Sequence, residues 1–428
     1  ARTHKTRLAS GIELHTLNKQ TRGSTVSMQV QMRWGDARAT TLRLGTAMVG
    51  DLMLDGSQAM DKQRLRDELL RLKAGINIRS SNQGLTLYIT AEKDTLIEAL
   101  KLAAEVVQHP LFPADAFERI RLQRTQALSS SRQDLGQLRM AATREHFNAA
   151  RGVKRGDPDY IPSLDESLDD LRRVTLDDVR GFYREFWSAN DTRLAVVGAV
   201  PEGVEAAIES AFGAWKKPDA PAFQQYMSRA AKVPPARFDV QADDKTNAVV
   251  RVTNLFSLNR RASDYLPMML AVHVLGGGSL ESRLSTRVRR DMGLSYSVGA
   301  SLTAPEFGDA GALLIDGSYA PQNRDAVIAA IQTELQRMGR EGITPDELVR
   351  AKKSVLESWQ QGRAGDAYLL NALNWFSEAG LDWRYEAEQE TKLQALTVAQ
   401  VNEAWGKLVD LNGSVVSTAG DFKAKAPQ

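Results

Sequence analysis

The sequence predicts an α+β protein of two homologous domains, each a mostly antiparallel sheet with helices packed on one face. Three observations lead to this prediction. Stretches of alternating apolar and polar residues, typical of half-buried strands, recur between amphipathic helices. The same order of elements occurs twice along the chain. Between the two copies, residues 216–238 contain four prolines and show little periodicity, which is typical of an interdomain linker.

The first copy begins with strands. In TVSMQVQMRWGDA, apolar residues alternate from Val26 to Trp34 and predict a half-buried strand, with the preceding LASGIELHTLN as its hairpin partner. Helices are predicted over residues 43–56 and 60–74, and GLTLYITAEKD is predicted to be a further strand. Amphipathic helices follow, and TLDDVRGFYREFW is the helix that leads into the strand TRLAVVGAV.

The second copy repeats this order from NAVVRVTNLF to the final strand GSVVSTAGD. An offset of 222 residues separates Thr175 from Thr397 in matching helix starts, and the same offset separates Gly198 from Gly420 in the strands that follow. Chance similarity between common helix caps is the alternative, but one offset over a helix and a strand favours duplication. We therefore predict domains at 1–217 and 238–428, joined by a linker at 218–237.

Composition excludes several classes of function. The net charge is only +2 with acids and bases interspersed, which argues against a nucleic-acid partner. The sequence contains no run of about 18 apolar residues, so no membrane span is predicted. The chain has no cysteine, so disulfides, thiolate catalysis and thiolate zinc sites are excluded. If Ala1 is a mature end after signal cleavage, a periplasmic location is expected, with a cytoplasmic one as the alternative.

Two motifs point to a family. LGTAMVGDLMLDGS in the first half and LGGGSLESRLSTRVRRDMGLSYSVGA in the second resemble motifs of the insulinase/pitrilysin-type metallopeptidases, the inverzincins. The resemblance is to the bacterial branch similar to mitochondrial processing peptidase, and it covers nearly the whole chain. It implies a tandem metallopeptidase-like fold that encloses peptides between two halves.

Zinc-binding members of this family carry H-x-x-E-H on the first long helix, with two histidine ligands and a glutamate base. The resemblance places Met48, Asp51 and Leu52 at these positions. A thioether, a shortened acid and an alkyl side chain do not form a catalytic zinc site. The region of the family's third ligand, residues 126–133, contains no carboxylate, and no two of the five histidines are four residues apart. We therefore predict no metal in this chain, and interpret Asp51 either as a relic of the base or as an ordinary helix residue.

The second motif retains chemistry. The resemblance implies that Arg289 and Tyr296 in RRDMGLSY act on substrate, since guanidinium donates to peptide carbonyls and a phenol can donate to an oxyanion. Arg287 and Arg290 are competing candidates, and the family spacing favours Arg289. The alternative is a solvated helix charge and a strand residue that packs on its neighbours. The preceding LGGGS is interpreted as a flexible turn between helices, because no nucleotide-binding context follows it.

These expectations define a chain with half of an active site. We predict the zinc-less subunit of a heterodimeric metallopeptidase, in which a homologous partner provides zinc and base, and this chain provides Arg289 and Tyr296 for a peptide substrate. By itself the chain is not expected to be catalytic. The alternatives are a structural subunit, similar to the core proteins of a respiratory complex, and a non-catalytic peptide-binding homodimer.

Overall fold

The computed structural model describes residues 3–36, 39–40, 43–278 and 281–423, with only the backbone for 43–47. The strands are β1 (Thr3–Arg7), β2 (Glu13–Asn18), β3 (Thr25–Arg33), β4 (Gly75–Ser81), β5 (Gly84–Glu92), β6 (Asp191–Gly198), β7 (Ala236–Gln241), β8 (Ala248–Ser257), β9 (Ser295–Thr303), β10 (Ala310–Tyr319) and β11 (Val415–Gly420).

The helices of the described residues are α1 (Arg43–Leu52), α2 (Lys62–Arg71), α3 (Leu96–Gln108), α4 (Ala114–Ser130), α5 (Leu135–Arg151), α6 (Leu164–Arg173), α7 (Leu176–Phe186), α8 (Val204–Phe212), α9 (Tyr265–Val272), α10 (Arg324–Glu341), α11 (Pro345–Ala364), α12 (Asp366–Ala379), α13 (Trp383–Ala395) and α14 (Val398–Leu408). Two π-helical segments, π1 (His273–Gly277) and π2 (Ser285–Asp291), lie between α9 and β9. Among the residues described, no helix is long and apolar enough to cross a bilayer.

The chain folds into two compact units, each assembled from three segments. Unit 1 comprises Ala1–Ala127, Leu168–Gln225 and Trp359–Glu386, and unit 2 comprises the remaining segments, Leu128–Ser167, Tyr226–Ser358 and Ala387–Gln428. The change from one unit to the other at Gln225 lies inside the proline-rich stretch. The units differ from the continuous sequence halves, because a helical segment of each half belongs to the unit of the other.

Unit 1 contains a six-stranded sheet in the order β1-β2-β6-β3-β5-β4. The even residues of β3, from Val26 to Met32, are fully buried, as the alternation predicts. The hairpin prediction is wrong: β2 pairs antiparallel with β1 and parallel with β6, and β3 pairs with β5 and β6. Apolar alternation identifies a strand but carries no information on its neighbour, and β6 lies far away in the sequence.

Unit 2 contains a five-stranded sheet in the order β7-β11-β8-β10-β9. This order reproduces the β2-β6-β3-β5-β4 part of the first sheet strand for strand, including the single parallel pair, β11 with β7. Both units also have a helix that starts with a reciprocal capping box, at Thr175 and at Thr397. The predicted α+β fold with two related sheets is thereby confirmed.

One helix lies on the second face of each sheet, which the sequence did not predict. In unit 1, α12 covers the face opposite the β3 core residues, where Leu373 and Phe376 pack on Ala195 and Val197 of β6. In unit 2, α5 packs on β11 and β7. Since α5 comes from the first half of the sequence and α12 from the second, the two halves exchange equivalent helices.

Candidate functional site

The three degenerate zinc-motif positions lie on one helix of unit 1. Met48 and Leu52 are separated by one helical turn and share a face, and both are fully buried in the core. Asp51 points away from that face, with 42% of its side chain exposed. The positions that would hold two imidazole ligands therefore serve as apolar core, as their residue types require.

An arginine neutralises the remaining acid. Arg124 of α4 approaches Asp51 from its Nε at 2.8 Å and its Nη2 at 2.5 Å, and both atoms donate to Oδ2. The same helix contributes Arg119, whose Nη2 lies 2.7 Å from Oδ1 of the buried Asp55. Arg124 lies just before residues 126–133 and was not predicted from the sequence, because no spacing rule links a lone arginine to an acid on another helix.

These residues do not fit a zinc ion. Zinc sites in proteins use imidazole, thiolate or carboxylate donors, usually four in tetrahedral geometry. Here the only such donor among the three positions is Asp51, and its carboxylate is ion-paired with a guanidinium. Over the described ranges, no group of three His, Asp or Glu residues could hold a metal ion. The three motif positions therefore do not support metal chemistry.

The retained motif of unit 2 is built from π2, a tight turn and the edge strand β9. Arg289 lies in the last turn of π2, which is a rare helix type found frequently at functional sites. Gly293 follows with a φ of 63°, a left-handed conformation that glycine adopts without steric cost. The Leu294 N–H donates to Val288 O at 2.9 Å, and Asn323 Nδ2 donates to Leu294 O at 3.1 Å. This turn fixes the start of β9.

Tyr296 is the extra residue of a β-bulge. In the β9–β10 ladder, Ser295 lies opposite Tyr319 and Ser297 opposite Ser318, which leaves Tyr296 without a partner residue. Bulges next to active sites change the direction of a side chain. The Tyr296 side chain is 58% exposed, and Arg289 is also exposed. Within the part of the chain described, neither the phenol nor the guanidinium has a hydrogen-bond or ion-pair partner.

The glycine-rich segment is more ordered than the sequence analysis expected. Gly276 belongs to π1, and a Cβ on it would lie 2.5 Å from the Ala300 nitrogen of β9. Only glycine permits this approach, so the segment is a packed support of the edge strand rather than a flexible turn. Ser279, the last residue of LGGGS, lies outside the described residues.

A buried ion pair fixes Arg283, which precedes π2. Arg283 donates from Nε and Nη2 to the two carboxylate oxygens of Glu347, both at 2.7 Å, and Nη2 also donates to Gly342 O at 2.8 Å. Burial alone raises the pKa of Glu347, but donors from Arg283 and the Thr344 N–H outweigh it and lower the pKa overall. Arg283 was not predicted from the sequence as a functional residue. The one available signal was its position inside the motif LGGGSLESRLSTRVRRDMGLSYSVGA.

Two related sheets, each carrying one of the two family-like motifs, define a metallopeptidase-like protein. The family model for insulinase (peptidase family M16) matches residues 15–155, and the model for the peptidase M16 inactive domain matches residues 173–355. The chain belongs to the M16 peptidase family, and within it to members that lack the zinc site.

The relatives include a non-peptidase homolog and a zinc protease. The non-peptidase homolog YmxG of Helicobacter pylori is 21% identical over 407 residues, covering 91% of this chain and 88% of that protein. An uncharacterized zinc protease of Streptomyces coelicolor is 27% identical over 212 residues, 48% of this chain and 45% of that protein.

Solved structures show the same fold. The peptidase M16 inactive domain from Pseudomonas fluorescens superimposes with a TM-score of 0.83 at 21% identity and full coverage of both chains, 100% each. The periplasmic protease PqqL from Escherichia coli gives a TM-score of 0.73 at 16% identity, where the match covers 98% of this chain and 45% of that one.

Proposed function

We propose that this chain is the zinc-less subunit of a heterodimeric metallopeptidase. A homologous partner with an intact H-x-x-E-H motif supplies the zinc and the general base, and this chain supplies Arg289 and Tyr296 to the peptide substrate. M16 family members commonly work in pairs, which supports the division. The relatives named above include both a non-peptidase homolog and a zinc protease.

The observation that carries the proposal is the contrast between the two motifs. The zinc-motif positions have become core and a satisfied ion pair, so nothing remains there for catalysis. By contrast, Tyr296 and Arg289 keep exposed polar groups at the two ends of a built turn. An exposed phenol on a bulged edge strand contributes little to stability, and its hydroxyl is accessible to a substrate.

The chemistry of these two groups suits peptide hydrolysis. Zinc in the partner would polarise the attacking water and the scissile carbonyl. The Arg289 guanidinium offers a fork of N–H donors to a peptide carbonyl or carboxylate, which orients an extended substrate. The Tyr296 hydroxyl donates to the oxyanion that develops at the tetrahedral stage. Loss of one such donor costs about 10²–10³ in rate.

The test reconstitutes the pair. This chain is co-expressed with a homologue that carries H-x-x-E-H, and chelator-sensitive cleavage of a quenched fluorescent peptide library is measured together with the mass of the complex. Tyr296→Phe and Arg289→Ala should lower kcat at least about tenfold without changing assembly. Arg287→Ala and Arg290→Ala remove charges from the same π2 helix and should leave kcat within about twofold.

Three results would contradict the proposal. Chelator-sensitive cleavage by this chain alone would make it a complete enzyme. Unchanged activity of the Tyr296→Phe and Arg289→Ala pairs, with intact assembly, would favour a structural subunit. A stable homodimer that does not bind candidate partners would favour the alternative of a non-catalytic peptide-binding homodimer.

A further inference from the structure

A cavity of unit 2 lies apart from the Arg/Tyr motif and carries an unusual set of charges. It has a volume of about 300 Å³ and lies between α5 and the sheet face formed by the odd-numbered residues of β8. Five arginines line it: Arg139, Arg144, Arg151, Arg229 and Arg251. Among its described lining residues there is no aspartate or glutamate. In a chain whose net charge is only +2, this is a strong local concentration of positive charge.

The arginines are incompletely neutralised. Arg251 pairs with Asp316, at 2.6 Å from Nε to Oδ1, and Arg144 contacts the adjacent and largely exposed Glu145. Arg139 is half-buried, and its Nη1 donates only to the neutral Ser417 Oγ, at 3.1 Å. Burial and the charge of Arg251 lower the pKa of Arg139. Its guanidinium still carries its proton at neutral pH, so a positive charge is held half-buried without a carboxylate partner in the described chain.

Apolar groups complete the cavity. Phe147 of α5 lines one side, and Leu255 and Leu314 of the central strands line the other, all three partly exposed. Ala310, Gly311 and Ala312 contribute little side-chain volume, which leaves room above the sheet. The volume is at the lower end of ligand pockets.

The backbone at the rim also suits a peptide. Arg229, Ala230 and Ala231 lie in a stretch without helix or strand that joins the two units along the chain. The Ala230 N–H is held by the Asp309 carboxylate at 3.0 Å, so this stretch is fixed beside the cavity. Irregular stretches of this kind pair with extended ligands through their backbone N–H and C=O groups.

We propose that this cavity binds an acidic peptide segment, with carboxylates on the arginines and an adjacent apolar side chain against Phe147, Leu255 and Leu314. Arginine forks bind carboxylates with two parallel hydrogen bonds, which gives geometric specificity as well as attraction. Arg139, which bonds only the neutral Ser417 Oγ among the described residues, would gain a directly bonded anionic partner. All of the residues proposed to contact the peptide come from this chain, so the proposed binding requires no metal and no partner subunit.

The test uses the full chain and a fluorescein-labelled peptide, Gly-Ser-Glu-Leu-Glu-Leu with a free carboxyl terminus, in an anisotropy titration at 0.15 M salt. The proposal expects binding that weakens at least about tenfold when both glutamates are replaced by glutamine and the terminus is amidated. Arg139→Gln/Arg251→Gln should weaken binding of the acidic peptide by a similar factor. Arg340→Gln, an exposed charge on α10 of the same unit, is the matched control and should change the Kd less than about twofold.

A second variant protects the test against misfolding. Arg144→Gln/Arg151→Gln changes two other arginines of the cavity, both on α5, and should weaken binding while circular dichroism and melting stay unchanged. Equal binding of the acidic and neutral peptides would overturn the proposal, as would unchanged affinity in folded variants. Dodecanoate binding in place of the peptide would also overturn it and point to a lipid ligand. Because hydrolysis is not measured, failure here leaves the proposed function untouched, and success here does not support it.

Discussion

Arg124 Nε and Nη2 both donate to Oδ2 of Asp51, at 2.8 and 2.5 Å. The guanidinium on α4 thus forms an ion pair with Asp51. This residue stands at the position where zinc-binding relatives have the general base beside the zinc ion. Reversing the degeneration of the motif therefore requires more than restoring two histidines, because the positive charge of Arg124 opposes the metal.

The first prediction concerns zinc affinity. The variant Met48→His/Asp51→Glu/Leu52→His regains H-x-x-E-H but lacks a third protein ligand and keeps Arg124, so it should bind zinc weakly. Adding Arg124→Ala should tighten binding roughly five- to tenfold, since removing a like charge at a partly exposed site gains about 1 kcal/mol. Titration calorimetry on folded protein measures this change.

Arg121→Ala is the control for the zinc experiment. Arg121 lies on the same helix and pairs with Glu118, so its loss removes an equal charge at another position. Equal gains in affinity from Arg124→Ala and Arg121→Ala would show that the Asp51 pairing has no special role.

A second prediction compares two ion pairs by burial. In the Arg283–Glu347 pair the side chains are 6% and 17% exposed, whereas in the Arg124–Asp51 pair they are 34% and 42% exposed. Glu347→Gln should lower the free energy of unfolding by about 3–5 kcal/mol, because it leaves a buried guanidinium uncompensated. Asp51→Asn should cost at most about 1 kcal/mol. Urea unfolding measures both, and similar costs would contradict the ranking.

A third prediction follows from the lowered pKa of Glu347. A carboxyl whose folded pKa lies below its unfolded value stabilises the fold above the unfolded pKa, and this contribution is lost as pH falls through the folded pKa. Wild type should therefore lose stability below about pH 4.5 more steeply than Glu347→Gln. Urea midpoints taken between neutral pH and pH 3.5 provide the comparison. Parallel curves for the two proteins would show that Glu347 does not contribute to the acid sensitivity.

The fourth prediction concerns the support of the edge strand. Gly276→Ala would place a Cβ 2.5 Å from the Ala300 nitrogen, so β9 must shift, at a cost of roughly 1–3 kcal/mol. The matched control is Gly406→Ala in α14, where a Cβ meets nothing within 4 Å, and it should stabilise by roughly 0.5–1 kcal/mol. Thermal melts distinguish the two. A neutral Gly276→Ala would mean that π1 moves freely and does not position Tyr296.

Sequence reasoning identified most elements because apolar periodicity reports burial, and the repeat offset disclosed two related sheets. It did not find β4, whose residues are all exposed or partly exposed and give little contrast between faces. It also paired β2 with the wrong strand. Strand order depends on contacts between distant segments, such as Leu14 with Leu194, and local patterns do not encode them.

At the candidate site, the resemblance to two family motifs indicated Met48, Asp51, Leu52, Arg289 and Tyr296. The roles of Arg289 and Tyr296 remain predictions until the pair is tested. The spacing of residues in the sequence does not predict their ion-pair partners, which are Arg124 for Asp51 and Glu347 for Arg283. The bulge at Tyr296 was also not predictable, because it depends on the register of β9 against β10.

The exchange of α5 and α12 has a consequence for cooperativity. Neither half of the sequence contains both a complete sheet and the helix that covers its second face. A cut at Gln225 would therefore leave two fragments, each without the helix that covers its own sheet. Separately expressed halves should be poorly soluble, yet should rescue each other when mixed. In the intact chain, melting one sheet releases a helix tethered to the other. We therefore expect the unfolding of the two units to be coupled, and calorimetry of the intact chain measures this.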